Sequence, residues 1–317
     1  MSSLSHLPYG KILDYWYEKL SGNKFRTRFI LTKVIEVFSF KNSGAKNKIN
    51  YQYVEFPKST QNEIPIKPII SVVIPAFVKN GKDINDMRNL LTSLENQTLK
   101  PDFIILIDDC SPLNYDYSNS VSFYKLEKNS GPAKARNVGK KIALQYYSDI
   151  IAFTDVDCIV NENWVNSIFN SFINKRDYSI LSGNTISYDR HWYGQYHNIN
   201  GTLNGRQINN SEKLLYGTTA NLAITKEVAT NLNFNENFPF AAGEDIEFCF
   251  WANKKGFAIK HISEMVVQHN YGYSKNYIYS FNRFRNLFKK YGLGEKILLQ
   301  EIPEYYAYFD KTSEIPA

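Results

Sequence analysis

Two aspartates separated by one residue, Asp155-Val156-Asp157, follow directly on a short apolar run at 150–153. If that run is a strand, both carboxylates leave its end together and can address one cation with oxygen donors, as Mg²⁺ and Mn²⁺ prefer. A second acidic pair, Asp108-Asp109, follows another apolar run at 103–107. In a parallel sheet these four carboxylates face one crevice, where they repel each other unless a shared cation or donors from a ligand relieve them. Taken singly, each pattern is weak, because aspartates are common in turns after strands.

The elements around these residues have a recognisable order. Residues 69–74 form a β-branched run of the kind expected for a strand covered on both faces. A helix is predicted at 83–96, where Ile84, Met87, Leu90, Leu91 and Leu94 recur at helical spacing. A second strand is expected at 103–107, a second helix at 133–147 opened by Gly131-Pro132, and a third strand at 150–153. Strand–helix–strand–helix–strand predicts a doubly wound α/β sheet, with ligands at the carboxyl ends of its strands. Beyond Trp164 the pattern is mixed: strand-like segments at 178–186 and 221–225, a helix at 244–255 closed by Gly256, and strands at 257–262 and 265–268. Residues 1–67 are basic and tyrosine-rich, with one helix candidate at 26–38.

Composition narrows the classes. With 317 residues, 43% hydrophobic and 21% charged, the chain can bury a large core and is neither disordered nor repetitive. Its longest apolar stretch, 68–78, is about half of the ~20 residues a membrane span needs, and the first residues lack a secretory layout. Three cysteines without CxxC spacing predict neither a disulfide framework nor a zinc site. A net charge of +6 suits anionic partners but falls short of a nucleic-acid stripe. The default expectation is a soluble cytoplasmic protein.

Five motifs stand in order: Ser71-Val-Val-Ile-Pro-Ala-Phe77, Asp108-Asp-Cys-Ser-Pro112, Gly131-Pro-Ala-Lys-Ala-Arg-Asn-Val-Gly139, Asp155-Val-Asp157 and Gly243-Glu-Asp245. Together they resemble the family 2 inverting glycosyltransferases over about 69–269. The resemblance implies a GT-A-type, Rossmann-like mixed sheet flanked by helices at 68–270, with a partly helical extension at 1–67 and a basic amphipathic helix and tail at 271–317. It implies a nucleotide-sugar donor, most simply a UDP-sugar, with Mn²⁺ or Mg²⁺ as cofactor. The hexosyl or N-acetylhexosaminyl group would go to a hydroxyl on a glycan, lipid-linked glycan or polypeptide.

Pro75, Ala76, Phe77 and Val156 would line the nucleotide pocket, and Asp108 or Asp109 would accept from the uracil N–H, with an Asx-turn or helix cap as the plain alternative. Arg136 would face the diphosphate or a ligating aspartate. Asp157 would ligate the metal, joined by His269 after the last strand; Asp155 would contact the ribose or sugar and the metal. Asp245 would be the general base, with Glu244 bonded to acceptor or loop; capping of the helix is the alternative for either.

Three segments stand outside those roles. Tyr216-Gly-Thr-Thr-Ala-Asn221 matches a donor-sugar or acceptor loop but lacks a second glycine. The aromatic and imidazole groups of His191-Trp-Tyr-Gly-Gln-Tyr-His197 could stack on sugars. At 277–291, Phe281, Phe284, Leu287, Phe288 and Tyr291 share a face that either packs on the sheet domain or rests on anionic lipid at the inner face of a membrane. Two rival functions are a silent nucleotide-sugar-binding module and a DxD phosphatase; the second leaves Asp108-Asp109 without a role.

Overall fold

The computed structural model describes residues 67–316 apart from 118–119 and 175–176, so the helix candidate at 26–38 lies outside the described residues. An eight-stranded mixed sheet forms the centre. Its strands are β1 (Ile70–Ala76), β2 (Phe103–Asp108), β3 (Val121–Lys125), β4 (Ile150–Phe153), β5 (Cys158–Val160), β6 (Ile180–Ser187), β9 (Leu222–Thr225) and β10 (Ile259–His269). They lie in the order β3-β2-β1-β4-β9-β6-β10-β5. β1 pairs in parallel with both β2 and β4, while β9 runs antiparallel between β4 and β6. The second sheet is small, with β7 (Arg206–Ile208) between β8 (Leu214–Tyr216) and β11 (Thr312–Glu314).

Alternation along β1 divides the core between the sheet's two faces. Val72 and Ile74 pack with Met87, Leu90 and Leu94 of α1 (Gly81–Glu95) and with Trp164 of α3 (Trp164–Asn174). Val73 turns the other way, toward α2 (Pro132–Gln145), α5 (Lys226–Asn231) and α6 (Glu244–Lys254). Asn80 caps α1 by accepting from the amides of Lys82 and Asp83. Gly139 of α2 lies so close to β1 that a Cβ there would meet Val73 Cγ1 at 2.3 Å, which explains the glycine at that place in the motif.

Two further helices complete the fold: α4 (Trp192–Asn200) and α7 (Tyr277–Glu301). Past α7, a 3₁₀ turn at Tyr305–Lys311 returns the chain so that β11 pairs with β7. Leu298, Ile302, Tyr305 and Phe309 bury against Leu215, Phe238 and Phe250. No helix among the described residues is long and apolar enough to cross a membrane.

The sequence-predicted strands at 257–262 and 265–268 are one strand, β10, with a register shift between Ile262 and Val266. Pro75 and Ala76, expected just past the first strand, are its last two residues and pair with Ile107 and Asp108. The 277–291 face packs inward through Phe284 and Phe288, against Tyr193, Tyr196, Tyr273 and Tyr291. Phe281, expected on that face, is instead 43% exposed.

Candidate active site

β4 ends at Phe153, and the turn after it carries Asp155 and Asp157 in different directions. β10 runs antiparallel to β5 with His269 opposite Cys158, so His269 stands beside the DxD turn. Its Nε2 lies 3.3 Å from Asp157 Oδ1. The donor atoms of Asp157, Cys158 and His269 all fall within 4.8 Å of one another. Burial, in the field of Asp157 and Asp155, pushes the Cys158 thiol far up, so it stays protonated and ligates poorly. The carboxylate and imidazole are the usable donors; the carboxylate suits Mn²⁺ or Mg²⁺, and the imidazole favours a transition ion over Mg²⁺. Burial also pushes the Asp157 carboxyl up, against the pull of His269.

Asp155 is occupied differently. Its Oδ1 accepts from Arg136 Nη2 at 2.8 Å, and Arg136 Nη1 donates to Glu244 Oε1 at 2.6 Å. The other Glu244 oxygen accepts from the Ala242 amide at 2.8 Å. Arg136 and Glu244 are almost fully buried. Burial works against the guanidinium, but Asp155 and Glu244 outweigh it and keep it charged. Arg136 therefore ties the DxD turn to the start of α6, and Glu244 is committed to Arg136 and the loop.

Asp245 is the neighbour with a different environment. Gly243 precedes α6 at φ +100°, a conformation suited to glycine, and turns the chain into the helix. Asp245 Oδ2 accepts from the Thr219 amide at 3.2 Å and Oδ1 from the Ile246 amide at 2.9 Å. Burial, then the charge of Glu244, push this carboxyl up to about 7, against Arg136 and the two amides. Thr219 belongs to the expected 216–221 loop, which Asn221 anchors: it accepts from Trp164 Nε1 at 2.8 Å and donates to the Met265 and Asn184 carbonyls.

These groups border one cavity of about 1120 Å³, roofed by α7. Pro75, Ala76, Phe77, Asp109, Arg136, Asp155, Val156, Asp157, Glu244, Asp245 and His269 line it; Asp108 does not. Asp108 Oδ1 accepts from the Ser111 amide, three residues on, at 2.7 Å and so closes its own turn. Asp109 takes the Ser130 and Gly131 amides at 2.7 and 2.8 Å and thereby holds the start of α2. Each of its oxygens still has accepting capacity toward the cavity. The volume exceeds the ~300–1,000 Å³ typical of small-molecule pockets.

Within the aromatic group at 191–197, Tyr193 and His197 are core rather than a stacking platform, while Trp192 is exposed. His197 stacks on Tyr271 at 3.8 Å and bonds Thr202 and Tyr273, and burial pushes its pKa down to about 3, so it stays neutral. Of that group only Tyr196 reaches the cavity. The roof from α7, including Asn286, Lys290 and Tyr291, was not anticipated from sequence. Its signal was mixed: Leu287, Phe288 and Tyr291 belong to the apolar face that the spacing picks out, and Asn286 and Lys290 to its polar flank.

The motif order and this geometry meet in a comparison with known sequences. The description "Glycosyl transferase family 2" matches residues 71–232, half of the chain. The chain belongs to that family. Among similar proteins, the glycosyltransferase GlyG of Streptococcus pneumoniae serotype 4 is 29% identical over 129 residues, 38% of this chain and 40% of that protein. An uncharacterized glycosyltransferase of Haemophilus influenzae is 29% identical over 98 residues, 30% of this chain and 31% of that protein. The alignments thus span well under half of either relative. Among solved structures, GalNAc-T7 with UDP, GalNAc and Mn²⁺ superposes with a TM-score of 0.50 at 16% identity, over 75% of this chain and 52% of that one. The S. aureus TarS 1-349 complex with UDP gives 0.48 at 18%, over 76% and 72%. The family 2 domain here therefore has the GT-A-type mixed sheet with flanking helices.

Proposed function

We propose that this family 2 glycosyltransferase moves a hexosyl or N-acetylhexosaminyl group from a UDP-sugar to an acceptor hydroxyl in one inverting displacement. The observation that carries the reading is Asp245: a carboxylate held near neutrality on the wall it shares with the Asp155, Asp157 and His269 cluster. Asp245 takes the proton of the acceptor hydroxyl as its oxygen bonds to the anomeric carbon. The bond from that carbon to the diphosphate oxygen breaks, and its electron pair leaves with the nucleotide. A divalent cation held by Asp157 and His269, with Asp155 beside them, supplies charge compensation to that diphosphate when bound. Asp109, with its remaining acceptor capacity, and Phe77 serve the uridine end. UDP also accords with the ligands of GalNAc-T7, whose fold this chain shares.

The acceptor is a glycan, a lipid-linked glycan or a polypeptide, and one surface feature favours a membrane-bound one. Trp192, Tyr277, Ile278, Tyr279 and Phe281 are all exposed around the start of α7. Residues 270–294 contain five cations and no acid. An aromatic, cationic rim of this kind suits anionic lipid.

The decisive experiment incubates the protein with UDP-sugars, with and without Mn²⁺, in the absence of acceptor. Metal-dependent release of UDP, lost in Asp245→Asn, supports the transferase. Tight UDP-sugar binding without any turnover, with or without added acceptor, makes the chain a silent binding module.

A further inference from the structure

The proposed reaction leaves its site negative even with the divalent cation counted. A nucleoside diphosphate brings at least two negative charges to a wall already holding Asp155, Asp157, Glu244 and Asp245. The charge of Arg136 is already shared between Asp155 and Glu244, so it offsets those carboxylates before a nucleotide arrives. The other cations on the cavity are also committed. Lys82 pairs with Asp86 at 2.6 Å, Arg206 reaches Glu314 at 3.4 Å, and Arg283 donates to the Tyr271 carbonyl. Lys79 is an exposed rim residue over the Phe77 ring at 4.7 Å.

Lys290 differs from all of these. It lines the cavity from α7, outside the segment that matches the family, and is half-buried. Among the described residues it has neither a hydrogen bond nor an ion pair. Burial pushes its ammonium down from the ordinary lysine value, while Glu244, Asp155 and Asp157 pull it back up, so it stands in the field of the same acidic cluster. Its placement is fixed by Gly294, one helical turn on and on the same face. A Cβ on Gly294 would meet the Ala242 carbonyl at 2.2 Å, so α7 lies backbone to backbone against the loop that leads into Glu244 and Asp245. A half-buried lysine without a partner, held over carboxylates, is arranged for an anion that arrives later.

We propose that Lys290 binds the diphosphate of the donor and takes up the negative charge that develops on it as the sugar leaves. This rests on the nucleotide-sugar reading above and adds a residue that none of the five motifs contains. The test compares wild type, Lys290→Gln, Lys290→Arg and Lys289→Gln, the last removing the same charge from the exposed side of α7. Affinities for UDP and for uridine are measured by calorimetry with Mn²⁺ present, and turnover with a UDP-sugar. Lys290→Gln should weaken UDP about tenfold or more and leave uridine unchanged, because only UDP carries the charge that Lys290 meets. Its kcat should fall about 10²-fold, the scale for losing one preorganised donor to a developing anion. Lys290→Arg should recover part of both, and Lys289→Gln should behave as wild type. Wild-type UDP binding with an unchanged Lys290→Gln overturns the Lys290 assignment alone; a uridine loss equal to the UDP loss does the same. Wild type that binds neither nucleotide overturns the donor reading and this inference together.

Discussion

Asp245→Asn should abolish transfer and at the same time stabilise the fold, more strongly at pH 8 than at pH 5. The carboxyl is pushed from an ordinary 3.8 up to about 7 by burial and by Glu244. A raised acid pKa means that the folded state holds a proton which the unfolded chain releases above about pH 4, so stability falls as pH rises through that window and the loss is complete above about 7. At 1.36 kcal/mol per pH unit the full window is worth about 4 kcal/mol, and the part between pH 5 and pH 8 about 2–3 kcal/mol. Asp245 borders the open cavity, where solvent screens it, so the expected difference is about 1–2 kcal/mol. Asparagine does not titrate, so urea unfolding of the two proteins at both pH values isolates this contribution from the cost of the amide accepting one backbone N–H fewer. The same ionisation governs activity. Wild-type kcat/KM should rise through an acid limb near pH 7, about tenfold lower at pH 6 than an unlimited base would give, and Asp245→Asn should lose about 10²–10⁴-fold. Undiminished turnover in Asp245→Asn, or a stability difference that is flat with pH, refutes the assignment of a raised, proton-accepting Asp245.

Three further outcomes are expected. Arg136→Met should destabilise by about 3–5 kcal/mol in urea unfolding, because Glu244 and Asp155 lose the charge between them. The double variant Arg136→Met/Glu244→Gln should recover part of that loss, and equal loss in both would mean that packing, not charge, was removed. Asp157→Ala and His269→Ala should each lower the thermal shift produced by Mn²⁺ with UDP, with little effect on the protein's melting without metal; an undiminished shift moves the cation elsewhere. Tyr277→Ser/Ile278→Ser should reduce co-sedimentation with phosphatidylserine vesicles and leave UDP binding unchanged, whereas equal sedimentation removes the lipid contact.

The half of the fold that was legible in sequence is the half built from local signals. β1, β2 and β4 are buried on both faces and read as continuous apolar runs, and the acidic pairs stand where a parallel sheet puts ligands, Asp108 as the last residue of β2 with Asp109 after it, and Asp155 and Asp157 beyond β4. β10 read as two strands because Ser263 and Glu264 look like a turn, whereas they sit at a register shift within one strand. Short strands such as β5, with three residues, leave too little pattern to find. The aromatic run at 191–197 looked like a ligand platform because its residue types suit both jobs. Only the packing of Phe284 and Phe288, some 90 residues on, makes Tyr193 and His197 core.

The site divides along the same line. Which residues gather was readable from motif order, but what each does depends on partners far along the chain. Arg136 is expected to face the diphosphate or a ligating aspartate; it meets Asp155, and its bond to Glu244 across 108 residues adds a brace between the DxD turn and α6 that spacing does not report. With Arg136 shared between two carboxylates, a further positive charge beside the metal site would favour a diphosphate on this acidic wall. The lysine in position to provide one comes from a helix whose sequence pattern reports an apolar stripe and is silent about where its polar flank points. Periodicity identifies one face that packs; the cavity is lined by Leu287, Phe288 and Tyr291 of that face and by Asn286 and Lys290 on its flank, and the close approach of Gly294 to Ala242 sets that flank against the site.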